Sequence, residues 1–124
     1  MTKSLKTHII DSYSNLTKIE DFDLNHNQLI LLTSLGTIYG KIFTFDESNV
    51  EKTVINQVNQ TAEKQYFSDE NKNSGNDEYI CLEDVVLITP ANNKMKFPYL
   101  NVFYDQIIAV SVGNLNPDIK TDQV

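Results

Sequence analysis

The chain has 124 residues, with ten lysines, no arginine and 17 acidic residues, and its formal net charge at pH 7 is −7. A chain of this length fits one domain around a single core. The acidic surplus repels nucleic-acid backbones and anionic lipids at long range, which argues against a protein that binds duplex DNA or a membrane surface. Any contact with nucleic acid must therefore be local.

One cysteine and the lack of long apolar runs indicate the compartment. Cys81 has no second cysteine to pair with and lies in an apolar stretch, so we expect a buried, reduced thiol. The first residues lack the apolar segment of a signal peptide, and no apolar run approaches the ~18 residues that span a bilayer. We expect a cytoplasmic protein that does not enter a membrane.

The N-terminal segment has a helical repeat. Apolar residues recur at three- or four-residue spacing: Leu5, Ile9, Tyr13, Leu16 and Ile19. This pattern predicts an amphipathic helix over residues 5–20 with these side chains on one face. Because Ser, Thr and Asn are frequent in the segment, the helix should depend on packing that face against an apolar surface.

Two strands follow, separated by a glycine. Residues 28–35 are apolar in their middle, and Gly36 permits a tight reversal into a second strand. In that strand Gly40 has no side chain, which allows a sharp bend or the close approach of another backbone. A five-stranded sheet needs such a bend to close into a barrel.

Residues 47–78 read as an insertion between strands. Ser48 and Glu51 have the spacing of a capping box, and an apolar repeat of four residues beginning at Val50 favours a helix to about Tyr66. Alternation over residues 52–60 leaves a hairpin as the competing interpretation. The end of the insertion, residues 68–78, has no apolar residue and predicts a loop.

The third and fourth strands are interrupted in their middle. Residues 79–89 are apolar apart from Glu83 and Asp84, where we expect an irregularity. The fourth strand, residues 95–104, contains Pro98, which cannot donate to a ladder and belongs at a sheet edge or a bulge.

A last strand and a tail complete the chain. Residues 107–112 form a continuous apolar strand, and residues 113–124 form a polar tail. We therefore expect an antiparallel barrel over residues 28–112 within a single domain that covers residues 1–124.

Two motif blocks in these strands resemble the Sm-like (Lsm) family, in the form of a divergent phage or bacterial member. The first block is Gly36 followed by Gly40-Lys-Ile-Phe-Thr-Phe45-Asp46, and the next family strand is similar to Ile80-Cys-Leu-Glu-Asp84. The second block is Val102-Phe-Tyr-Asp105-Gln-Ile-Ile-Ala-Val110. The resemblance implies a mainly β fold: an N-terminal helix and a strongly bent five-stranded antiparallel barrel, here with a long insertion between strands 2 and 3.

The resemblance also implies assembly and a ligand. Subunits of this family form a homo-oligomeric ring, in which the fourth strand of one subunit pairs with the fifth strand of the next. They bind single-stranded RNA around the central hole, where an aromatic ring stacks on a base while Asp and Asn read base edges. The matching positions here are Phe45, Asp46, Asn49, Tyr104 and Asp105.

The RNA motif departs from the family pattern, and other interpretations stay open. The family's Arg-Gly before the final turn is replaced by Phe103 and Tyr104. A ring that binds protein as a structural or adaptor module is the main alternative, and a nucleotide-binding monomer is a further one. Tyr104 could equally be an aromatic at a subunit contact, and residues 107–112 could be the core strand of a monomeric barrel.

No arrangement of side chains predicts catalysis or a bound metal. The segment from Asp23 to Asn27 opens like a calcium loop, but Gln28 stands at its glycine position and Ser34 at its final glutamate position. The two histidines and Cys81 are far apart, without zinc-ligand spacing and without a nucleophile-base arrangement. We expect neither an enzyme nor a cofactor.

Overall fold

Two helices and five strands make up the part of the chain that the structure, a computed structural model, describes: residues 4–17, 28–67 and 78–113. In chain order they are α1 (Leu5–Leu16), β1 (Gln28–Thr33), β2 (Gly36–Ile42), α2 (Val50–Phe67), β3 (Tyr79–Ile88), β4 (Lys94–Phe103), a 3₁₀ turn (Tyr104–Gln106) and β5 (Ile107–Gly113). Of the predicted loop 68–78, residues 68–77 lie outside the described residues, as do the tail after residue 113 and the calcium-like segment 23–27.

The strands form one antiparallel sheet in the order β4-β3-β2-β1-β5. The β1–β2 hairpin joins strands that are close in sequence, with Leu31 opposite Ile38, whereas the other edge of β1 pairs with β5, the last described strand. A mainly β fold with five antiparallel strands and an N-terminal helix is therefore confirmed. The predicted closed barrel is wrong, because β4 and β5 stand at opposite ends of the sheet and do not pair with each other within the described residues.

The core lies on one face of this sheet. Leu29, Leu31 and Leu82 are 0% exposed, and Ile10 of α1 is 1% exposed against them. The other members of the buried cluster are Ile38, Ile80, Val85, Leu87, Val102, Tyr104 and Ile107. Because α1 covers this face near β5, the helix closes the core that the sheet alone would leave open to water.

Helix α1 buries a different face from the one that its apolar repeat predicts. Thr7, Ile10 and Ser14 are the buried residues of the helix. The predicted apolar face is exposed: Leu5 by 74%, Ile9 by 41% and Tyr13 by 37%. The described helix ends at Leu16, and residues 18–20 of the predicted range lie outside the described part.

Small hydroxyl side chains make this buried face of α1 possible. The Ser4 hydroxyl caps the helix by accepting from the Thr7 N–H at 3.1 Å, and the Ser14 hydroxyl donates to the Ile10 carbonyl at 2.8 Å. With their polar atoms satisfied locally, Thr7 and Ser14 can be buried at small cost. They let the helix approach the sheet closely enough for Ile10 to enter the core.

The two predicted glycine positions have distinct roles. Gly36 has φ of +143°, and a Cβ atom there would lie 2.2 Å from the Ile88 carbonyl oxygen, so the β1–β2 turn requires glycine. Gly40 is buried, and its Cβ would lie 3.2 Å from side-chain atoms of Leu82 and Val85. Core side chains of β3 therefore occupy the space that Gly40 leaves.

In strands β3 and β4 the alternation of inward and outward residues shifts by one position at the same level. In β3 the buried residues are Ile80 and Leu82, then Val85 and Leu87, so the alternation skips one position. Asp84 at this point has φ of +53°, and it is the extra residue where the register with β2 shifts. The irregularity expected at Glu83 and Asp84 is confirmed as a β-bulge, a feature that bends a strand.

The partner strand β4 skips at the same place. Its inward residues are Phe97 and then Leu100 and Val102, on either side of Pro98. The ladder contains the pairs Glu83–Tyr99 and Val85–Phe97 but none between Asp84, which has a positive φ, and Pro98, which has no N–H. Irregularities of this kind bend strands, but β4 and β5 stay at opposite ends of the described sheet.

Candidate functional site

Within the part of the chain that the structure describes, the outer edge of β5 is one of the two open edges of the sheet. Ala109 pairs with Leu32 of β1 and Ile107 pairs with Thr33, so Ile108 is an extra residue that bulges from the strand. Its side chain is 72% exposed. An unpaired strand edge with an exposed isoleucine is a surface that favours pairing with another chain.

The outer edge of β4 is the other open edge, and its two halves differ. The first half carries Lys94 and Lys96, both exposed, and is followed by Pro98. Lysine and proline are residues that discourage uncontrolled strand pairing. The second half, from Tyr99 to Phe103, has neither lysine nor proline, so it is the part of β4 best suited to accept a strand.

Three of the predicted RNA-site residues lie in the loop after β2. Phe45 is 54% exposed, and the Asp46 carboxylate accepts hydrogen bonds from the Ser48 hydroxyl at 2.7 Å and the Ser48 N–H at 3.0 Å. These two bonds lower the pKa of Asp46. One carboxylate oxygen is thus engaged within the loop, while the Phe45 ring is open to a ligand.

Asn49, the third of these residues, caps helix α2. Its side-chain oxygen accepts from the Lys52 N–H at 3.2 Å, and its carbonyl accepts from the Thr53 N–H at 3.0 Å. The predicted capping box, with Ser48 as the cap, is corrected by one residue because Ser48 is bound to Asp46 instead. The preferred helical interpretation of residues 50–66 agrees with the structure, and the hairpin alternative does not.

Tyr104 and Asp105 lie in the other loop of the predicted site, between β4 and β5. Tyr104 is only 8% exposed, its hydroxyl donates to Asp11 Oδ1 at 2.7 Å, and its N–H donates to the Glu78 carbonyl at 2.9 Å. Burial, followed by the bond to Asp11, raises the pKa of Tyr104. Its ring is therefore not open to a stacking base, which corrects the role expected for it, while Asp105 is exposed.

Helix α2 is attached to the sheet by polar contacts at its first turn. Lys52 forms an ion pair with Glu83 at 3.0 Å and donates to the Thr44 carbonyl at 3.0 Å. Its ammonium group also lies 5.7 Å from the centroid of the Phe43 ring. The bond to Glu83 raises the pKa of Lys52. This lysine is occupied within the protein rather than offered to a phosphate.

Two further contacts hold the rest of α2. Asn59 and Asn101 exchange amide hydrogen bonds, the shorter at 2.9 Å, and the Tyr79 hydroxyl donates to the Glu63 carboxylate. Asn101 and Tyr79 alternate with the inward residues of β4 and β3, so α2 lies on the outer face of the sheet, opposite the core.

The valines of α2 point away from the sheet. No residue of the helix is buried, and the valines of its four-residue repeat are exposed. Val50 is 78% exposed, Val54 50% and Val58 59%. The four-residue repeat predicted the helix correctly, but its valines lie on the solvent-exposed face of the helix. The hydrogen bonds and the ion pair with the sheet come from polar residues.

A cleft separates the C-terminal half of α2 from the sheet and has a volume of about 770 Å³. Five aromatic rings line it: Phe43, Tyr66, Phe67, Tyr79 and Phe103. Cys81 also lines the cleft and is half-buried on the outer face, which corrects the expected core position. Burial raises the pKa of its thiol. The available signal was that Tyr79, Cys81 and Phe103 alternate with the core positions of their strands.

Residues 4–17, 28–67 and 78–113 contain no cluster of three or more His, Cys, Asp or Glu side chains that could hold a metal ion. In the same ranges, no helix combines the length and the hydropathy needed to cross a bilayer.

Comparison with known proteins gave no match. No family model matches this sequence, and neither a curated protein nor a solved structure matches it significantly.

Proposed function

We propose that this protein is a subunit of a homo-oligomeric ring of the Sm-like type that serves as a scaffold for other proteins. In the proposed ring, the second half of β4 in one subunit pairs with the outer edge of β5 in the next. The ring closes when every such edge is paired, so no open strand edge is left.

The observation that carries this proposal is the strand order β4-β3-β2-β1-β5, in which β4 and β5 each have one edge unpaired within the described residues. The order supports the proposal because it leaves two different edges, one at each end of a bent sheet. Two different edges make a head-to-tail contact, which repeats around a ring instead of stopping at a dimer. The turn with Asp105 before β5 and the N-terminal helix α1 are features that the resemblance also implies.

Binding of protein is favoured over binding of RNA by the surfaces that the subunit offers. Exposed apolar stripes run along both helices, with Leu5 and Ile9 on α1 and Val54 and Val58 on α2. In contrast, Lys52, whose ammonium group donates to the Thr44 carbonyl beside the predicted RNA loop, is paired with Glu83. A net charge of −7 adds repulsion toward a phosphate backbone.

Single-stranded RNA remains the second candidate ligand because of Phe45. Its ring is 54% exposed in the loop whose family counterpart stacks a base. Fluorescence polarisation with labelled U-rich and A-rich oligomers at two salt concentrations tests this candidate, with Phe45→Ala as the variant. Binding that Phe45→Ala abolishes would establish RNA as a ligand. Absence of binding at low salt would leave the protein scaffold.

Light scattering on the full chain tests assembly. At micromolar concentration the ring should have a mass that is a multiple of the 14.2 kDa of one chain. Ile108→Lys charges the β5 edge, and Leu35→Lys is the matched control, because the two side chains are 72% and 71% exposed and Leu35 lies in the β1–β2 turn. We expect Ile108→Lys alone to lower the mass. A 14.2 kDa wild-type protein would contradict the ring.

A further inference from the structure

The cleft under helix α2 is built from two walls that come from different parts of the chain. On the helix wall, the rings of Tyr66 and Phe67 meet edge to face with centroids 5.0 Å apart. On the sheet wall, the rings of Tyr79 and Phe103 are tilted with centroids 6.1 Å apart. A volume of about 770 Å³ between them is within the range of small-molecule sites.

Polar contacts on the outer face of the sheet fix the position of the helix wall relative to the sheet wall. The Tyr79 hydroxyl donates to Glu63, and the amides of Asn59 and Asn101 bond to each other at 2.9 Å. These contacts connect α2 to β3 and β4 without filling the apolar space beside them. The cleft therefore exists before any ligand enters, which lowers the free-energy cost of binding.

The charged side chains that the described residues contribute to the cleft have one sign. Glu63 and Glu78 are the charged residues among the described side chains that line it, and both are acidic. The lysine at the start of the same helix, Lys52, does not line the cleft and is paired with Glu83. Carboxylates beside aromatic faces attract cations and repel phosphates and carboxylates.

We propose that this cleft is a binding site for an organic cation with an apolar body, of the quaternary ammonium or phosphonium class. The apolar body occupies the space between the aromatic walls, and the positive charge lies against the ring faces and the two carboxylates. Such a cation lacks N–H donors, so it loses little hydration on entry, and ring faces supply the attraction that water would otherwise supply. The site does not depend on assembly into a ring.

Calorimetric titration of the full chain with two ions of matched shape tests the proposal. Tetraphenylphosphonium and tetraphenylborate have the same four phenyl groups and opposite charge. We expect the cation to bind about tenfold more tightly, the factor that a desolvated cation–π contact supplies. Equal affinity for the two ions, or tighter binding of the borate, would overturn the proposal.

A pair of variants locates the binding. Ala62 lines the cleft and Thr61 lies beside it on the exposed side of α2, away from the cleft. Ala62→Trp should fill part of the cleft and weaken the affinity for the cation by about tenfold or more, while Thr61→Trp should change it by less than about twofold. Equal effects of the two variants would mean that the cation binds elsewhere on an acidic surface, contrary to the proposal.

A measurement on the unmodified protein gives an independent check. In amide NMR spectra, the cation should shift the signals of Tyr79, Cys81 and Asn101, which line the cleft. The signals of Ile10 and Leu29 in the core should stay in place, since α2 and the cleft lie on the opposite face of the sheet. Shifts spread over the acidic surface without those of the cleft would also contradict the site.

Discussion

The hydroxyl of Tyr104 donates a hydrogen bond to Asp11 Oδ1 at 2.7 Å, across 93 positions of sequence. This bond joins the turn before β5 to helix α1, and the ring of Tyr104 belongs to the buried cluster. A side chain that family resemblance assigns to RNA is therefore part of the contact that holds the N-terminal helix on the core.

Removing this hydroxyl should destabilise the protein. We expect Tyr104→Phe to lower the free energy of unfolding by about 1–2 kcal/mol, because a bond from a partly buried hydroxyl to a carboxylate is lost while the ring stays. Denaturant unfolding followed by circular dichroism measures the change. Tyr13→Phe is the control, since Tyr13 is 37% exposed on the other side of α1. Equal stability of the two variants would contradict the role assigned to Tyr104.

The protein should lose stability in alkaline solution. Burial and bonds to carboxylates raise the pKa values of Tyr79 and Tyr104 above the usual value of about 10. A pKa that is higher in the folded state favours the protonated form, so this contribution is complete below pH of about 10 and is lost as pH rises further.

Ultraviolet titration of tyrosinate checks this prediction. Two of the six tyrosines should ionise last, together with unfolding. The double variant Tyr79→Phe with Tyr104→Phe should lack that late phase. A late phase that survives in the double variant would show that other tyrosines cause it.

The buried face of α1 can be tested with two neighbouring isoleucines. Ile10 is 1% exposed and Ile9 is 41% exposed. We expect Ile10→Ala to lower the free energy of unfolding by about 2–5 kcal/mol because it leaves a cavity, and Ile9→Ala to lower it by less than about 1 kcal/mol. Chemical denaturation gives both values, and the reverse order would restore the face that the apolar repeat predicts.

Gly36 should not tolerate a side chain. A Cβ atom at this position would lie 2.2 Å from the Ile88 carbonyl oxygen, on a backbone with φ of +143°. We expect Gly36→Ala to cost at least about 2 kcal/mol of unfolding free energy. In the control Gly113→Ala, the nearest atom is the end of the Ile30 side chain at 3.1 Å, which can move. Thermal unfolding compares the two, and equal melting temperatures would contradict the role of Gly36.

Helix α2 should open locally when its first polar contact is removed. Lys52→Met deletes the ion pair with Glu83 and the bond to the Thr44 carbonyl. Because the pair is partly solvated and the helix has no buried residue, we expect less than about 1 kcal/mol in global stability but faster hydrogen exchange across Val50–Phe67. Lys64→Met, at the far end of the helix, is the control. Exchange rates unchanged by Lys52→Met would contradict this anchoring.

Strands were predictable from the sequence because their apolar residues must alternate or run together to fill a core. The turn at Gly36 and the irregularity at Asp84 followed from residue types that permit unusual backbone angles or interrupt an apolar run. The helix over residues 50–66 was indicated by its repeat, although its cap is Asn49 and not the predicted Ser48. These features depend on local chemistry, so one sequence is enough to indicate them.

Which face each helix turns toward the sheet was not predictable from periodicity. An apolar repeat shows that one face of a helix is hydrophobic, but it does not show which element, if any, covers that face. In α1, Thr7 and Ser14 fit against the sheet because they are small and satisfied by local hydrogen bonds. The outer-face cleft depends on Asn59 meeting Asn101, a contact between residues 42 positions apart that no local pattern encodes.

The matched skip in β3 and β4 constrains how chains of this kind can vary in length. Deleting Asp84 alone would shift the register of half of β3 against β4 by one residue. Inward side chains of that half would then face outward, which would expose Val85 or Leu82 to water. Deleting Asp84 together with Pro98 would instead leave a straight, regular hairpin that no longer curls the sheet. Related sequences should therefore gain or lose residues at these two places in concert, so a paired gap in an alignment would be a signature of altered curvature.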